Sequence, residues 1–68
     1  MQLHHVPNNT KVKLLEDDTG PPGAVSLKKG DIIEFGHIDG MYSFCRKEGV
    51  TVHLKAWTEV EIVENNDA

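Results

Sequence analysis

Side chains that could bind a metal are few in this chain, and their spacing is not that of a metal motif. The soft or borderline metal ligands are His4, His5, His37, His53 and Cys45. They include no Cys-x-x-Cys pair and no His-x-His pair, so the spacing matches no zinc motif. We therefore expect no metal site and no cofactor.

Candidate nucleophiles also lack neighbours that would activate them. Cys45 follows Phe44 in an alternating segment, which favours a buried and unreactive thiol. Ser26 and Ser43 have no recognisable general base beside them. The glycines at residues 20–23 enclose two prolines, where a phosphate-binding loop needs backbone N–H donors. The sequence thus predicts a protein without catalytic activity.

Charge and composition narrow the class of partner. Eleven acidic and seven basic residues give the 68-residue chain a formal net charge of −4. A protein that holds DNA by its phosphates usually carries a basic face, so this total disfavours that role without excluding a local basic patch. A single cysteine excludes an intramolecular disulfide, and no stretch is apolar enough to span a bilayer. We expect a domain in a reducing, cytoplasmic compartment.

Turn residues divide the chain into short segments, which is typical of an all-β domain. Five strands are predicted, at residues 11–15, 31–35, 41–46, 50–54 and 60–63. An acidic loop at residues 16–23 follows the first strand, and one short helical turn at residues 55–58 precedes the last. These elements together describe a small closed barrel, in which closure hides the strand edges.

The turns between the strands carry their own signals. Gly30 is expected at a positive φ in the turn that leads into the second strand. Residues 36–40 begin and end with glycine and are predicted to be a loop, whereas residues 47–49 form a short hairpin connection. The polar ends, at residues 1–9 and 64–68, lack hydrophobic periodicity and are predicted to be flexible. The sequence thus predicts one folded domain at residues 10–63.

Two segments of this domain resemble the Src-homology-three-like (SH3-like) barrels. The first, AVSLKKGDII at residues 24–33, is similar to the family's diverging turn, in which a basic pair, Gly-Asp and two apolar residues lead into the second strand. The second, LKAW at residues 54–57, stands where the family usually has Pro-x-x-Tyr. The resemblance spans about residues 11–63 and implies a small five-stranded SH3-like barrel, with a long acidic first loop and a one-turn 3-10 helix before the last strand.

The chain departs from the peptide-binding members of that family in its aromatic residues. No aromatic residue occurs at residues 12–16, Met41 and Tyr42 replace the paired tryptophans, and Leu54 replaces the proline of the one-turn helix. Since a polyproline groove needs flat aromatic walls, polyproline recognition is disfavoured. The outline is also similar to small accessory barrels of bacteria and bacteriophages.

The first candidate site surrounds the single tryptophan. Trp57 offers a large contact area at little entropic cost, and Tyr42 is expected at the mouth of the same face. For both residues, a place in the barrel core is the alternative. The resemblance implies that acidic residues of the first loop meet a basic ligand, whereas a solvated loop is the simpler interpretation. The acidic candidates are Glu16, Asp17, Asp18 and Asp39.

The second candidate site is a basic patch where two turns are expected to meet. Its members are Lys28, Lys29, Arg46 and Lys47. Four cations could hold a phosphate backbone, but only Phe44 lies nearby for base stacking. Charged turn residues that keep the domain soluble are the alternative.

We therefore expect a non-catalytic protein-binding module, with an adaptor, accessory or inhibitory role, whose partner presents a basic or mixed-charge surface. A nucleic-acid-associated barrel that uses the basic patch is the first alternative. A structural subunit of a larger assembly, such as a viral one, is the second. No membrane partner is expected, and the oligomeric state stays open.

Overall fold

A computed structural model of the chain describes residues 1–18 and 26–65. The strands in these residues are β1 (Thr10–Leu14), β2 (Ile32–Asp39), β3 (Tyr42–Lys47), β4 (Val50–Val52) and β5 (Val60–Asn65). They form one antiparallel sheet in the order β4-β3-β2-β1-β5. The prediction of an all-β chain with five strands is confirmed at this level. None of the helices formed by the described residues is long and apolar enough to cross a membrane.

β1 shows how the sequence builds this sheet. Its residues alternate between buried and half-buried positions, with Thr10, Val12 and Leu14 turned inward. Lys11 and Lys13 occupy the other face, as the alternation predicts. β1 pairs with β2 on one side and with β5 on the other, so it joins the last strand of the chain to the rest of the sheet.

Two tight turns contain residues at positive φ. Gly30 has φ of +95°, which confirms the prediction of a positive φ there. Between β3 and β4, Glu48 and Gly49 have φ of +52° and +82°. Positive φ at both central residues is the geometry of the two-residue hairpin turns that match the twist of paired strands.

β2 continues through the segment that was expected to be a loop. The prediction of a loop at residues 36–40 is wrong, because β2 runs to Asp39 and only Gly40 and Met41 turn the chain. The pairing with β3 shifts register between Phe35 and His37, which marks a β-bulge at Gly36. A Cβ atom on Gly36 would lie 2.7 Å from the backbone oxygen of Phe44, so the close approach of two strands requires glycine here.

Among the described residues, one hydrophobic cluster packs on the inward face of the sheet. All five strands contribute to it, and so do residues outside them. Its buried members are Leu3, Val6, Val12, Leu14, Leu27, Ile33, Phe35, Cys45, Val52, Leu54 and Val60. Phe35 is the largest of the fully buried side chains and comes from the middle of β2.

The first residues of the chain belong to this core, a packing that the prediction of a flexible segment at residues 1–9 missed. Leu3–His5 forms a 3-10 helix, and Leu3 and Val6 are buried in the hydrophobic cluster. With three residues per turn in such a helix, side chains three positions apart share one side. The Leu3 N–H also donates to the Thr58 carbonyl at 2.9 Å, and the His4 N–H to the Ala56 carbonyl at 2.9 Å.

Two elements near the end of the chain also differ from expectation. Residues 55–58 form a hydrogen-bonded turn, in which the Thr58 N–H donates to the Lys55 carbonyl at 3.0 Å, rather than a 3-10 helix. β5 extends to Asn65, two residues beyond the predicted strand. Of the predicted acidic loop and C-terminal tail, residues 19–23 and 66–68 lie outside the described residues.

Packing of the N-terminal segment leads to a stability prediction. Leu3→Ala is expected to lower the free energy of unfolding by about 2–5 kcal/mol, because it opens a cavity in the core. Leu15→Ala is the matched control, since Leu15 is exposed, and we expect a change of about 0.5 kcal/mol or less. Urea denaturation of both variants measures the difference. Equal effects at the two positions would show that residues 1–6 do not pack as described.

Candidate functional site

A buried carboxylate holds the turn at residues 55–58 in place. Asp18 is only 3% exposed. Its Oδ2 accepts a hydrogen bond from the Thr58 hydroxyl and another from the Lys55 N–H at 3.2 Å. Thr58 is itself buried, so both partners of the side-chain bond are shielded from water. The start of the first loop is thereby fixed to a turn that lies far along the chain.

The same turn is supported from two further directions. The N-terminal segment donates two backbone hydrogen bonds to it, at the carbonyls of Ala56 and Thr58. On the other side, the Ala56 N–H donates to the Met41 carbonyl at 2.9 Å, and Lys55 forms a β-bridge with Tyr42. Contacts from three separate segments leave this turn little conformational freedom.

Trp57 lies on the surface of this rigid turn and not in the core. Its neighbours Ala56 and Thr58 are buried, whereas Trp57 is 45% exposed. Met41, on the segment that is hydrogen-bonded to the turn, is 64% exposed, and Tyr42 is half-buried. We refer to Trp57, Met41 and Tyr42 as the Trp57 surface. The sequence leaves open whether Trp57 lies in the core or on the surface, and the structure places it outside the hydrophobic cluster.

The predicted acidic residues do not lie together on one face. Asp18 is an internal support of the turn, so its assignment as an exposed acid is corrected: its carboxylate is buried and hydrogen-bonded. Asp17 Oδ1 accepts from the Lys29 N–H at 2.8 Å, which places it against the turn before β2. Glu16 and Asp39 are exposed near the Trp57 surface. Glu16 bonds the N–H of Glu59, and Asp39 stands opposite Tyr42.

The four predicted cations are only partly brought together. Lys47 Nζ lies 3.2 Å from Asp31 Oδ2, and that carboxylate also accepts from the Lys28 N–H at 3.0 Å. The turn before β2 and the β3–β4 hairpin are therefore close, but an aspartate lies between their lysines. A shallow cavity at this junction is lined by three cations and three carboxylates: Lys11, Arg46, Lys47, Asp31, Glu34 and Glu48. Its charges balance, and it is not a purely basic groove.

Two hydrogen bonds hold the Asp31 carboxylate in its charged form. The hydrogen bond from the Lys28 N–H and the one from Lys47 Nζ hold the pKa of Asp31 below its ordinary value of 3.8. Both contacts favour the charged form of the carboxylate. The ion pair with Lys47 thus joins two turns of the sheet.

Sequence reasoning missed an aromatic cluster on the outer face of β2 and β3. The ring of Phe44 lies 5.1 Å from that of His37 and 5.0 Å from that of His53. His53 Nδ1 donates to the Ser43 carbonyl at 2.9 Å, which fixes the orientation of its ring. In the sequence the histidines stand out only as potential metal ligands, and the bulge that sets His37 opposite Phe44 has no strong local signal. Among the described residues, no three His, Cys, Asp or Glu side chains are arranged to hold a metal ion.

Cys45 is buried, as the alternation in β3 predicts. Its Sγ lies 3.2 Å from the Ser43 hydroxyl, and burial raises the pKa of the thiol. A thiol held in its protonated form is a poor nucleophile. Ser43 Oγ in turn donates to the Leu54 carbonyl at 2.9 Å, so both side chains serve the packing of β3.

Two buried threonines provide a matched test of the Asp18 contact. Thr58→Val removes the hydroxyl that bonds Asp18, and we expect a loss of about 1.5–3 kcal/mol in the free energy of unfolding. Thr10 is equally buried, but among the described residues its Oγ1 has no hydrogen-bond partner. Thr10→Val should therefore be neutral, or stabilising by up to about 1 kcal/mol. Chemical denaturation of both variants gives the comparison, and equal losses would rule out a special role for Asp18.

The shift at Asp31 predicts how stability depends on pH. Because the pKa of Asp31 is lowered by folding, its contacts stabilise the protein above the ordinary value of 3.8 and are lost as the pH falls through the folded-state value. Asp31→Asn should destabilise at neutral pH, and the difference from wild type should shrink in strong acid. Urea denaturation at both conditions measures this. Asp39→Asn is the control, because Asp39 is exposed and forms no ion pair among the described residues, and it should change stability little at either pH. If the stability difference between Asp31→Asn and wild type did not shrink in acid, the stabilising role of the Asp31 contacts would be contradicted.

Comparisons with protein-family models, with curated proteins and with solved structures found no significant match to this chain. The resemblance to SH3-like barrels therefore stays a prediction from two sequence segments. What the structure itself supports is an all-β chain with one five-stranded antiparallel sheet and an exposed tryptophan on a fixed turn.

Proposed function

We propose that this chain is a non-catalytic protein-binding module whose Trp57 surface binds a basic segment of a partner protein. The observation that carries the proposal is the exposure of Trp57 on a turn held by Asp18, the N-terminal segment and the Met41 backbone. A large aromatic side chain presented on a rigid support loses little entropy on binding. Tryptophan is also among the residues that most often dominate binding energy at protein interfaces.

The apolar character of this surface supports a protein partner. Met41 and Trp57 are both largely exposed, and the hydrogen bond between the Met41 carbonyl and the Ala56 N–H keeps their segments together. Methionine adapts its shape to a partner, whereas tryptophan offers a fixed flat face. Such a pair suits a small interface with one anchor residue.

Charge indicates what kind of segment would bind there. Glu16 and Asp39 are exposed beside the Trp57 surface, and neither forms an ion pair among the described residues. The chain as a whole carries a net charge of −4. A basic segment would complement both the local and the overall charge, and salt would weaken its association by screening.

We include in this proposal that the sheet forms an SH3-like barrel. A five-stranded sheet with a tight hairpin between β3 and β4 is compatible with an SH3-like barrel, and so are the segments at residues 24–33 and 54–57. We infer an adaptor, accessory or inhibitory role of the kind found for small bacterial and bacteriophage barrels. Polyproline recognition stays disfavoured, because Trp57 and Tyr42 are the aromatic residues on this surface.

Affinity capture from a lysate of the source cell, with nuclease present, tests the proposal. Trp57→Ala should abolish capture of the partner and, with the purified partner, weaken binding about 30-fold or more, as expected for an anchor residue. Val50→Ala is the matched control. Val50 is an exposed apolar residue of β4, and it pairs with Lys47 at the end of β3 that is far from Tyr42. Circular dichroism checks that both variants stay folded.

The outcomes separate the proposal from its alternatives. Capture that depends on Trp57, survives nuclease and weakens as salt is raised supports a basic protein partner. Capture that vanishes with nuclease, or that Val50→Ala impairs as much as Trp57→Ala, would overturn it. A partner with an acidic binding segment would refute the assigned charge complementarity.

A further inference from the structure

A concave region lies on the outer face of the sheet, apart from the Trp57 surface. A cavity of about 450 Å³ opens over β2, β3 and β4. Among its lining residues are Asn9, Glu34, His37, Phe44, Arg46 and Thr51. None of the three residues of the Trp57 surface lines it. The proposed protein-binding role makes no use of this cavity.

Phe44 forms a flat platform on this face. It is 40% exposed although it lies in the middle of a paired strand. His37 packs beside it with an angle of 30° between the ring planes, and His53 meets it edge-on at 76°. The bulge at Gly36 puts His37 opposite Phe44 in the register. The aromatic ring is thus held in one orientation, with part of its surface open to a ligand.

Arg46 supplies a positive charge next to that platform. Phe44 and Arg46 are two residues apart in β3, so their side chains share a face at a spacing of about 7 Å. Arg46 is exposed, and among the described residues no carboxylate lies within ion-pair distance of it. Asp31, the acid at the adjoining junction, is already paired with Lys47. Glu34 stands opposite Arg46 in the register and also lines the cavity, but no ion pair joins the two side chains, so the Arg46 guanidinium can turn toward an anion.

We propose that this cavity binds a nucleotide, with the base stacked on Phe44 and the phosphate paired with Arg46. Stacking on aromatic side chains and contacts from cations to phosphates are the two interactions by which proteins grip unpaired nucleotides. Asn9 and Thr51 line the cavity and carry polar side chains that can bond the edge of a base. A purely apolar ligand would leave these groups and Arg46 without partners, whereas a bare anion would not use Phe44.

The site differs from the basic patch that the sequence suggested. It needs one arginine and one aromatic ring, and it does not depend on Lys28, Lys29 or Lys47. Because a single guanidinium neutralises a single phosphate, a net charge of −4 over the whole chain is compatible with weak binding. The nucleotide can be a free mononucleotide or one unit of a single strand, since both present the same chemistry.

Titration of the purified full chain with two probes tests the proposal. AMP is followed by the amide chemical shifts of the protein in NMR spectra, and a labelled short oligodeoxythymidylate by fluorescence anisotropy. Phe44→Ala should weaken binding roughly 5- to 150-fold, as loss of one base stack does. Phe44→Trp should retain binding, whereas Phe44→Leu, which keeps apolar area without a flat face, should not. Arg46→Gln should lower the dependence of affinity on salt by roughly the contribution of one phosphate contact.

Trp57→Ala is the control that separates this site from the proposed protein-binding surface, and it should leave nucleotide binding unchanged. Thermal denaturation confirms that each variant is folded. Binding of both probes assigns the site to free nucleotides, and binding of the oligonucleotide alone assigns it to single strands; either result supports the proposal. No binding of either probe, equal binding by Phe44→Ala, or equally strong competition by inorganic tripolyphosphate would overturn it.

Discussion

The contact between Asp18 and the turn at residues 55–58 is the constraint on which the proposed surface depends. A buried carboxylate is costly unless it is hydrogen-bonded, and here the Thr58 hydroxyl and the Lys55 N–H both donate to its Oδ2. This requirement fixes the start of the first loop against the segment before β5. With the turn fixed, Ala56 and Thr58 face inward and Trp57 is left exposed. The exposure of the tryptophan thus depends on the hydrogen bonds of one buried acid, together with the backbone bonds from the N-terminal segment and Met41.

Much of the fold could be predicted because its signals are local. The alternation in β1 and the positive φ at Gly30 depend on neighbouring residues, and both are as expected. The bulge at Gly36 could not be predicted in this way, because the glycine is required by a backbone oxygen on another strand. The short segment around Leu3 has too few residues for a periodic pattern, so its packing became visible only with its partner, the turn that contains Thr58.

The candidate site shows the same limit more clearly. Asp18 follows two other acidic residues, so its local sequence indicates a solvated loop, and its partner Thr58 is 40 residues away. The predicted basic patch shows the same limit, because Lys47 is paired with Asp31, 16 residues earlier in the chain. Trp57 is the single tryptophan of the sequence, but no local pattern distinguishes an exposed tryptophan from one that closes a core.

β3 connects the two proposed sites physically. Its inward residues, Ser43 and Cys45, pack against the core, while Tyr42, Phe44 and Arg46 alternate on the outer side. One end of this outer row belongs to the Trp57 surface and the other to the nucleotide cavity. A standard protein interface takes about 800 Å² from each partner, which is a large share of a molecule whose accessible surface totals 4167 Å². The two proposed sites therefore lie close together on a small molecule, and their different anchor residues, Trp57 and Phe44, are what distinguishes them.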